Sequence, residues 1–91
     1  MEAKIVIPII GHAGGKWDIA KLVEWKAKEG DRVEKGKPVV TLETDKASCD
    51  IEAEISGFLH ILLQEGAKAM VGTAVGLIAE TEQELERLQK A

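Results

Sequence analysis

Apolar and polar residues alternate with a period of two through much of this chain, the pattern of strands that bury one face. It is clearest from Ser48 to Ile55, where Cys49, Ile51, Ala53 and Ile55 are interleaved with Ser48, Asp50, Glu52 and Glu54. Just before it, Val39-Val40-Thr41-Leu42 is β-branched and apolar. Between the two runs stands a polar break, Glu43-Thr44-Asp45-Lys46-Ala47-Ser48. So short a break predicts a hairpin, and an aspartate in it favours a tight turn. Lys46 is therefore expected at a hairpin tip, pointing into water.

Upstream, Lys4 to Ile10 predicts a first strand that Pro8 confines to an edge or an end, because proline cannot donate to a ladder. Gly11-His12-Ala13-Gly14-Gly15-Lys16 predicts a mobile loop. Ile19 to Lys26 predicts a strand of imperfect alternation. The turn signals Lys28-Glu29-Gly30-Asp31 and Glu34-Lys35-Gly36-Lys37 leave room only for a very short strand around Arg32-Val33. Downstream, Ser56-Gly57 predicts a turn and Phe58 to Leu63 a strand buried on much of both faces. The period then changes. Thr81 with Glu84 forms a capping box, Glu86 and Lys90 an i,i+4 pair, and Leu85 and Leu88 share a face, which together predict a short helix. The chain thus divides into a β domain over 1–81 and a short helix, or the start of a linker, over 82–91.

The two halves repeat. Gln64-Glu65-Gly66-Ala67-Lys68-Ala69-Met70-Val71-Gly72 matches Lys28-Glu29-Gly30-Asp31-Arg32-Val33-Glu34-Lys35-Gly36 at an offset of 36 residues. At the same offset Leu59 falls on Val23, Ile61 on Trp25, Val75 on Val39 and Ile78 on Leu42. One β unit occurring twice implies that each copy buries its apolar face against the other. The expected fold is all-β, a flattened barrel or sandwich of two antiparallel sheets of about four strands each. It has quasi-two-fold symmetry and a short C-terminal helix. On that symmetry Thr81-Glu82 is the counterpart of the lysine tip, and it carries no lysine.

Composition narrows the function. Ninety-one residues support one core but no catalytic cleft between two domains. Trp17, Trp25 and Phe58 are the only aromatics, so Val, Ile, Leu and Ala must build that core. A net charge of -4 offers no basic face for nucleic acid. No run approaches the roughly 18 apolar residues of a membrane helix. Met1-Glu2-Ala3-Lys4 has no signal-peptide character and the lone Cys49 has no disulfide partner, so a cytoplasmic location is expected. The alternation places Cys49 inward, as a small buried hydrophobe and not a nucleophile. His12 and His60 show no metal-ligand spacing. Trp25 is expected in the core or its flank, and Trp17, in the glycine-rich loop, is the candidate for partner contact.

Pro8, Gly11, Val23-Glu24-Trp25, Lys28-Glu29-Gly30-Asp31-Arg32-Val33, Gly36, Ser56-Gly57 and Glu65-Gly66 surround the Asp45-Lys46-Ala47 triplet. With them the chain resembles, over residues 4 to 80, a lipoyl domain of the dihydrolipoamide acyltransferase component of 2-oxo acid dehydrogenase complexes. The resemblance implies that Lys46 bears lipoic acid on its ε-amine, with Glu43, Asp45 and Ala47 as recognition neighbours. It implies a swinging arm that accepts acyl groups from a thiamine-dependent 2-oxo acid decarboxylase and delivers them to an acyltransferase core. Dihydrolipoamide dehydrogenase then reoxidises the arm, and a lipoate ligase or lipoyl transferase installs it. The domain itself would be a monomeric, non-catalytic carrier. A biotinyl carrier domain has the same fold and hairpin lysine, but its lysine is typically flanked by methionines, where this chain has Asp45 and Ala47. A glycine-cleavage carrier would be longer, and a cofactor-free binding domain of the same fold is the alternative from another class. The stretch from Gly11 to Trp25 is longer than the family pattern, and that from Gly57 to Gly66 is shorter. Around the lysine, Glu43, Asp45, Asp50, Glu52 and Glu54 predict an acidic tip that meets basic partner surfaces.

Overall fold

The repeated turns are the corners of the fold. Gly30 and Gly66, equated by the repeat, have φ of 85° and 93°, the left-handed region that favours glycine. A computed structural model describes residues 2–8, 19–44 and 47–90 of the chain. In order these form β1 (Glu2–Val6), β2 (Ile19–Trp25), β3 (Arg32–Val33), β4 (Pro38–Glu43), β5 (Ser48–Glu52), β6 (Gly57–Ile61), β7 (Lys68–Met70), β8 (Ala74–Ala79) and α1 (Glu82–Lys90). The strands make two four-stranded sheets, β1-β8-β6-β3 and β5-β4-β2-β7, with every pairing antiparallel.

The expected quasi-two-fold symmetry is present strand for strand, exchanging β1 with β5, β8 with β4, β6 with β2 and β3 with β7. Its register corrects one equivalence drawn from the sequence. Leu22 pairs with Leu42 and Trp25 with Val40, with a register shift between Leu22 and Glu24. In the other half Leu59 pairs with Ile78 and Ile61 with Gly76, with no shift. Leu59 is therefore the counterpart of Leu22, not of Val23. Val23 is the extra residue of a bulge, 41% exposed, whereas Leu22 and Leu59 are both buried. The second half lacks the bulge, so the run from Leu59 to Gly66 is one residue shorter than the matching run from Leu22 to Gly30.

Between the sheets, Leu22, Val39, Val40 and Leu42 meet Leu59, Val75 and Ile78, all fully buried. Each such side chain contributes about 1.5–3 kcal/mol through removal from water. Several predicted boundaries move. β1 ends at Val6; Ile7 still donates to Thr73 O (3.0 Å) and accepts from Gly72 N–H (2.8 Å), and Pro8 then has no donor to continue. Ile9, Ile10 and the expected loop from Gly11, with His12 and Trp17, lie outside the described residues. β5 ends at Glu52, because Ala53 turns to bond with Lys37 O (3.0 Å) and Gly36 N–H (2.9 Å). Gly57 belongs to β6 and not to a turn, and that strand stops at Ile61. Leu62 and Leu63 both donate to Val75 O, at 3.0 and 3.1 Å, which breaks the ladder and leaves Leu62 45% exposed instead of buried.

The predicted helix forms, capped by Thr81 Oγ1, which accepts from Glu84 N–H at 3.1 Å. It packs on β6 and β8 with Leu85 buried and Leu88 half-buried. Glu29, in the first glycine turn, ties the helix to the sheet. Its carboxylate accepts from Ile61 N–H (2.6 Å) and Gln89 Nε2 (2.8 Å) and lies 2.9 Å from His60 Nδ1. Burial pushes this carboxyl up, but the hydrogen bonds from Gln89, Ile61 and His60 outweigh it and hold it below the usual carboxylate range. A depressed folded-state value stabilises above the unfolded carboxylate's range, and that stability is lost as pH falls through the folded value. Because the side chain stays 40% exposed, the effect is under about 1 kcal/mol. Denaturant titrations between about pH 6 and 3 should show Glu29→Gln losing less stability than the parent. Equal slopes would count against the link.

Candidate functional site

The strands on either side of the polar break pair as a hairpin. Glu43, last in β4, pairs with Ser48, first in β5. Beyond that pair, Thr44 N–H donates to Ala47 O (2.7 Å), and Thr44 Oγ1 accepts from Ala47 N–H (3.2 Å). Asp45 and Lys46 are the only residues between Thr44 and Ala47; both predicted site residues lie outside the described residues. What is described is the frame that holds them, closed by one backbone hydrogen bond and one from the Ala47 N–H to the Thr44 hydroxyl. Ala47 is half-buried against the core, in phase with Cys49, Ile51 and Ala53. Its methyl group, packed there, anchors the hairpin to the core. Glu43 is exposed.

Cys49 faces inward in this phase but is only half-buried, not fully buried as the alternation predicts. Burial, with the nearby Asp50 charge, raises its thiol above the usual range, which disfavours the thiolate. Trp25 is core, with its indole N–H donating to Leu63 O at 2.9 Å.

The charges around the hairpin are divided. Asp50 and Glu52 lie exposed on β5, with Asp50 Oδ1 accepting from Thr41 Oγ1 at 2.7 Å. On the other flank Glu43 has Lys21 directly across in β2, and Lys21 has Lys68 across in β7. The outer face thus runs from acidic at β5 to basic at β7. Linear reading missed Lys21 and Lys68, because they reach the hairpin only through sheet order. A long group attached at the lysine of so short a connection would extend from the end of the sheet, and the frame fits such an attachment.

The family model described as "Biotin-requiring enzyme" (Biotin_lipoyl) matches residues 4–78. Among curated proteins, dihydrolipoyllysine-residue acetyltransferase component 5 of the chloroplastic pyruvate dehydrogenase complex of Arabidopsis thaliana is 47% identical over 66 residues, 71% of this chain and 14% of that protein. The dihydrolipoyllysine-residue succinyltransferase component of the 2-oxoglutarate dehydrogenase complex of Staphylococcus saprophyticus is 40% identical over 60 residues, 65% of this chain and 14% of that protein. The dihydrolipoyllysine-residue acetyltransferase component of the acetoin cleaving system of Bacillus subtilis is 31% identical over 87 residues, 94% of this chain and 21% of that protein. The chain therefore spans between 14% and 21% of the length of these relatives.

Proposed function

The chain belongs to the biotin/lipoyl attachment family and is a lipoyl-type domain; from that premise we propose that Lys46 carries lipoic acid and that the domain serves a 2-oxo acid dehydrogenase complex as its mobile carrier. The observation that supports this best is the hairpin closed by Thr44 and Ala47 around two residues, one of them the lysine. Attachment needs a lysine that an enzyme finds by position, and a short connection pinned by hydrogen bonds supplies one. Bound there, lipoic acid would supply a disulfide that an acyl donor opens and oxidation recloses. The chain's own part is to hold the attachment point and to present it.

Tethering replaces free diffusion by effective concentrations of about millimolar at each partner site, provided that the tether reaches. Residues 1–81 form the carrier unit in this reading, and catalysis belongs to the partners. These are the thiamine-dependent 2-oxo acid decarboxylase, the acyltransferase core and dihydrolipoamide dehydrogenase, with a lipoate ligase or lipoyl transferase loading the arm. Glu43, Asp45 and Ala47 act as recognition neighbours. The outer face, acidic on one flank and basic on the other, suits partners of mixed charge whose encounter weakens with salt.

Intact mass spectrometry after incubation with lipoate, ATP and a lipoate ligase tests the assignment. The parent should gain one lipoyl group, mapped to the peptide that contains Lys46, and Lys46→Gln should gain none. An unmodified parent, or a modified Lys46→Gln, would overturn it. The same assay with biotin and a biotin ligase should leave the mass unchanged.

A further inference from the structure

The quasi-two-fold symmetry provides an internal control for the lysine end of the molecule. On the outer face of the hairpin's sheet, Ile19 in β2 pairs with Met70 in β7, and the two are 54% and 45% exposed. Lys21 pairs with Lys68 two residues further along the same strands. In the other sheet Arg32 pairs with Phe58 and Val33 with Gly57, which correspond to Lys68 with Lys21 and Ala69 with Ala20. Extending that register by one step makes Glu34 and Ser56 the counterparts of Met70 and Ile19. There the pair is polar and internally satisfied, with Ser56 Oγ 3.4 Å from Glu34 Oε2 and accepting from Lys35 N–H at 2.9 Å. The end without the lysine thus has a hydrogen-bonded polar pair where the lysine end exposes two large apolar side chains.

Position gives the exposed pair an occupant. Lys21 lies across from Glu43, so Ile19 is two residues closer to the hairpin end of the sheet. Neighbouring strands are about 4.8 Å apart, which puts Ile19 one strand spacing and Met70 two, roughly 10 Å, from the β4 strand that leads into the lysine. We infer that Ile19 and Met70 form a resting seat for the lipoyl arm of Lys46, which lays its hydrocarbon and sulfur end across the outer face between partner visits. The inference rests on the carrier reading above.

The chemistry matches at each part of the arm. Its methylenes are apolar, and Ile19 gives them a surface that removes them from water. The Met70 thioether is soft and polarisable, suited to contact with a disulfide. The stems of Lys21 and Lys68 prolong the apolar strip while their ammonium groups stay in water. A tethered arm at millimolar effective concentration needs only a weak contact to spend much of its time there, and a carrier must release its arm readily. A partner surface would need a much larger patch than two side chains to bind stably.

The chain has two methionines, so a protein labelled with 13C at the methionine methyls gives two signals, and Met70→Leu assigns them. Mass spectrometry first establishes the loaded state. On loading, the Met70 methyl should shift by more than its line width and show nuclear Overhauser contacts to arm protons. Ile19→Ser should abolish those contacts without altering loading. With the isoleucine methyls labelled as well, the Ile19 methyl should shift on loading with lipoate and with octanoate alike, and the Met70 shift should be smaller with octanoate, which lacks the sulfur atoms. A loaded protein whose Met70 methyl neither moves nor contacts the arm overturns the seat and leaves the carrier assignment standing, and that is also what a pair reserved for a partner would give. A protein that cannot be loaded overturns both.

Discussion

Exchanging Asp45 and Lys46, so that the lysine moves by one residue within an unchanged composition, should reduce lipoylation at least about tenfold. The two central positions of a tight turn send their side chains in different directions, so a move of one position redirects the lysine. The frame allows no compensating slip. Glu43 is locked to Ser48, Thr44 bonds with Ala47, and Ala47 is held against the core. A ligase that recognises a lysine by position would meet the ammonium group in a new direction, with the acid on its wrong side. Both substituted residues lie between the bonded pair, so the melting temperature should stay within a few degrees of the parent. Initial rates of mass gain with lipoate ligase measure the effect, and circular dichroism checks the fold. A rate equal to the parent's would show that recognition follows the sequence neighbourhood and not the placement of the lysine.

That experiment concerns the part of the molecule most legible in the sequence. Strand alternation from Ser48 to Ile55, the β-branched run before it and the polar break between them all report local properties, so the hairpin could be placed without tertiary information. The 36-residue repeat supplied the symmetry and thereby the pairing of the sheets. The bulge at Val23 could not be seen the same way. Leu22 and Val23 are both apolar, and only the register against β4 shows which faces the core. Phe58 to Leu63 failed for a related reason, since an unbroken apolar run contains no signal for where the ladder stops. Val75 O, which captures the N–H groups of both Leu62 and Leu63, is distant in sequence. At the site, Lys21, Lys68, Ile19 and Met70 were individually visible but not as neighbours of the hairpin. They become so through the order β5-β4-β2-β7, and the repeat aligns Ile19 and Lys21 correctly only when the offset is 37 ahead of the bulge at Val23, while it stays 36 from Glu24 onward.

The largest stability effect is expected at Gly57, far from the hairpin in the other sheet. A Cβ on Gly57 would run into Ala79 O, with Ala79 C and Ile78 Cγ2 each at 3.0 Å. The nearest obstacle is backbone, so no rotamer change relieves it. β6 and β8 would have to separate where Phe58 pairs with Ala79, beside the buried Leu59 and Ile78. Overpacking of a well-filled interior costs about 1–3 kcal/mol, and a backbone obstacle belongs at the upper end. For a domain of this size that lowers the melting temperature of Gly57→Ala by more than about 10 °C. Gly30→Ala provides the contrast. Nothing lies within 4 Å of its Cβ position, so the only penalty is the positive φ of 85°, about 1 kcal/mol. Thermal melts of the two variants separate close approach from backbone conformation as the reason for glycine. A Gly57→Ala melt within about 3 °C of the parent would mean that β6 and β8 can part at little cost. Lipoylation adds a second readout. The Thr44 to Ala47 closure belongs to the opposite sheet, so Gly57→Ala held below its melting temperature should still load at the parent's rate. A loss of loading in the folded variant would show that the two sheets are coupled more tightly than their separate hydrogen-bond ladders require.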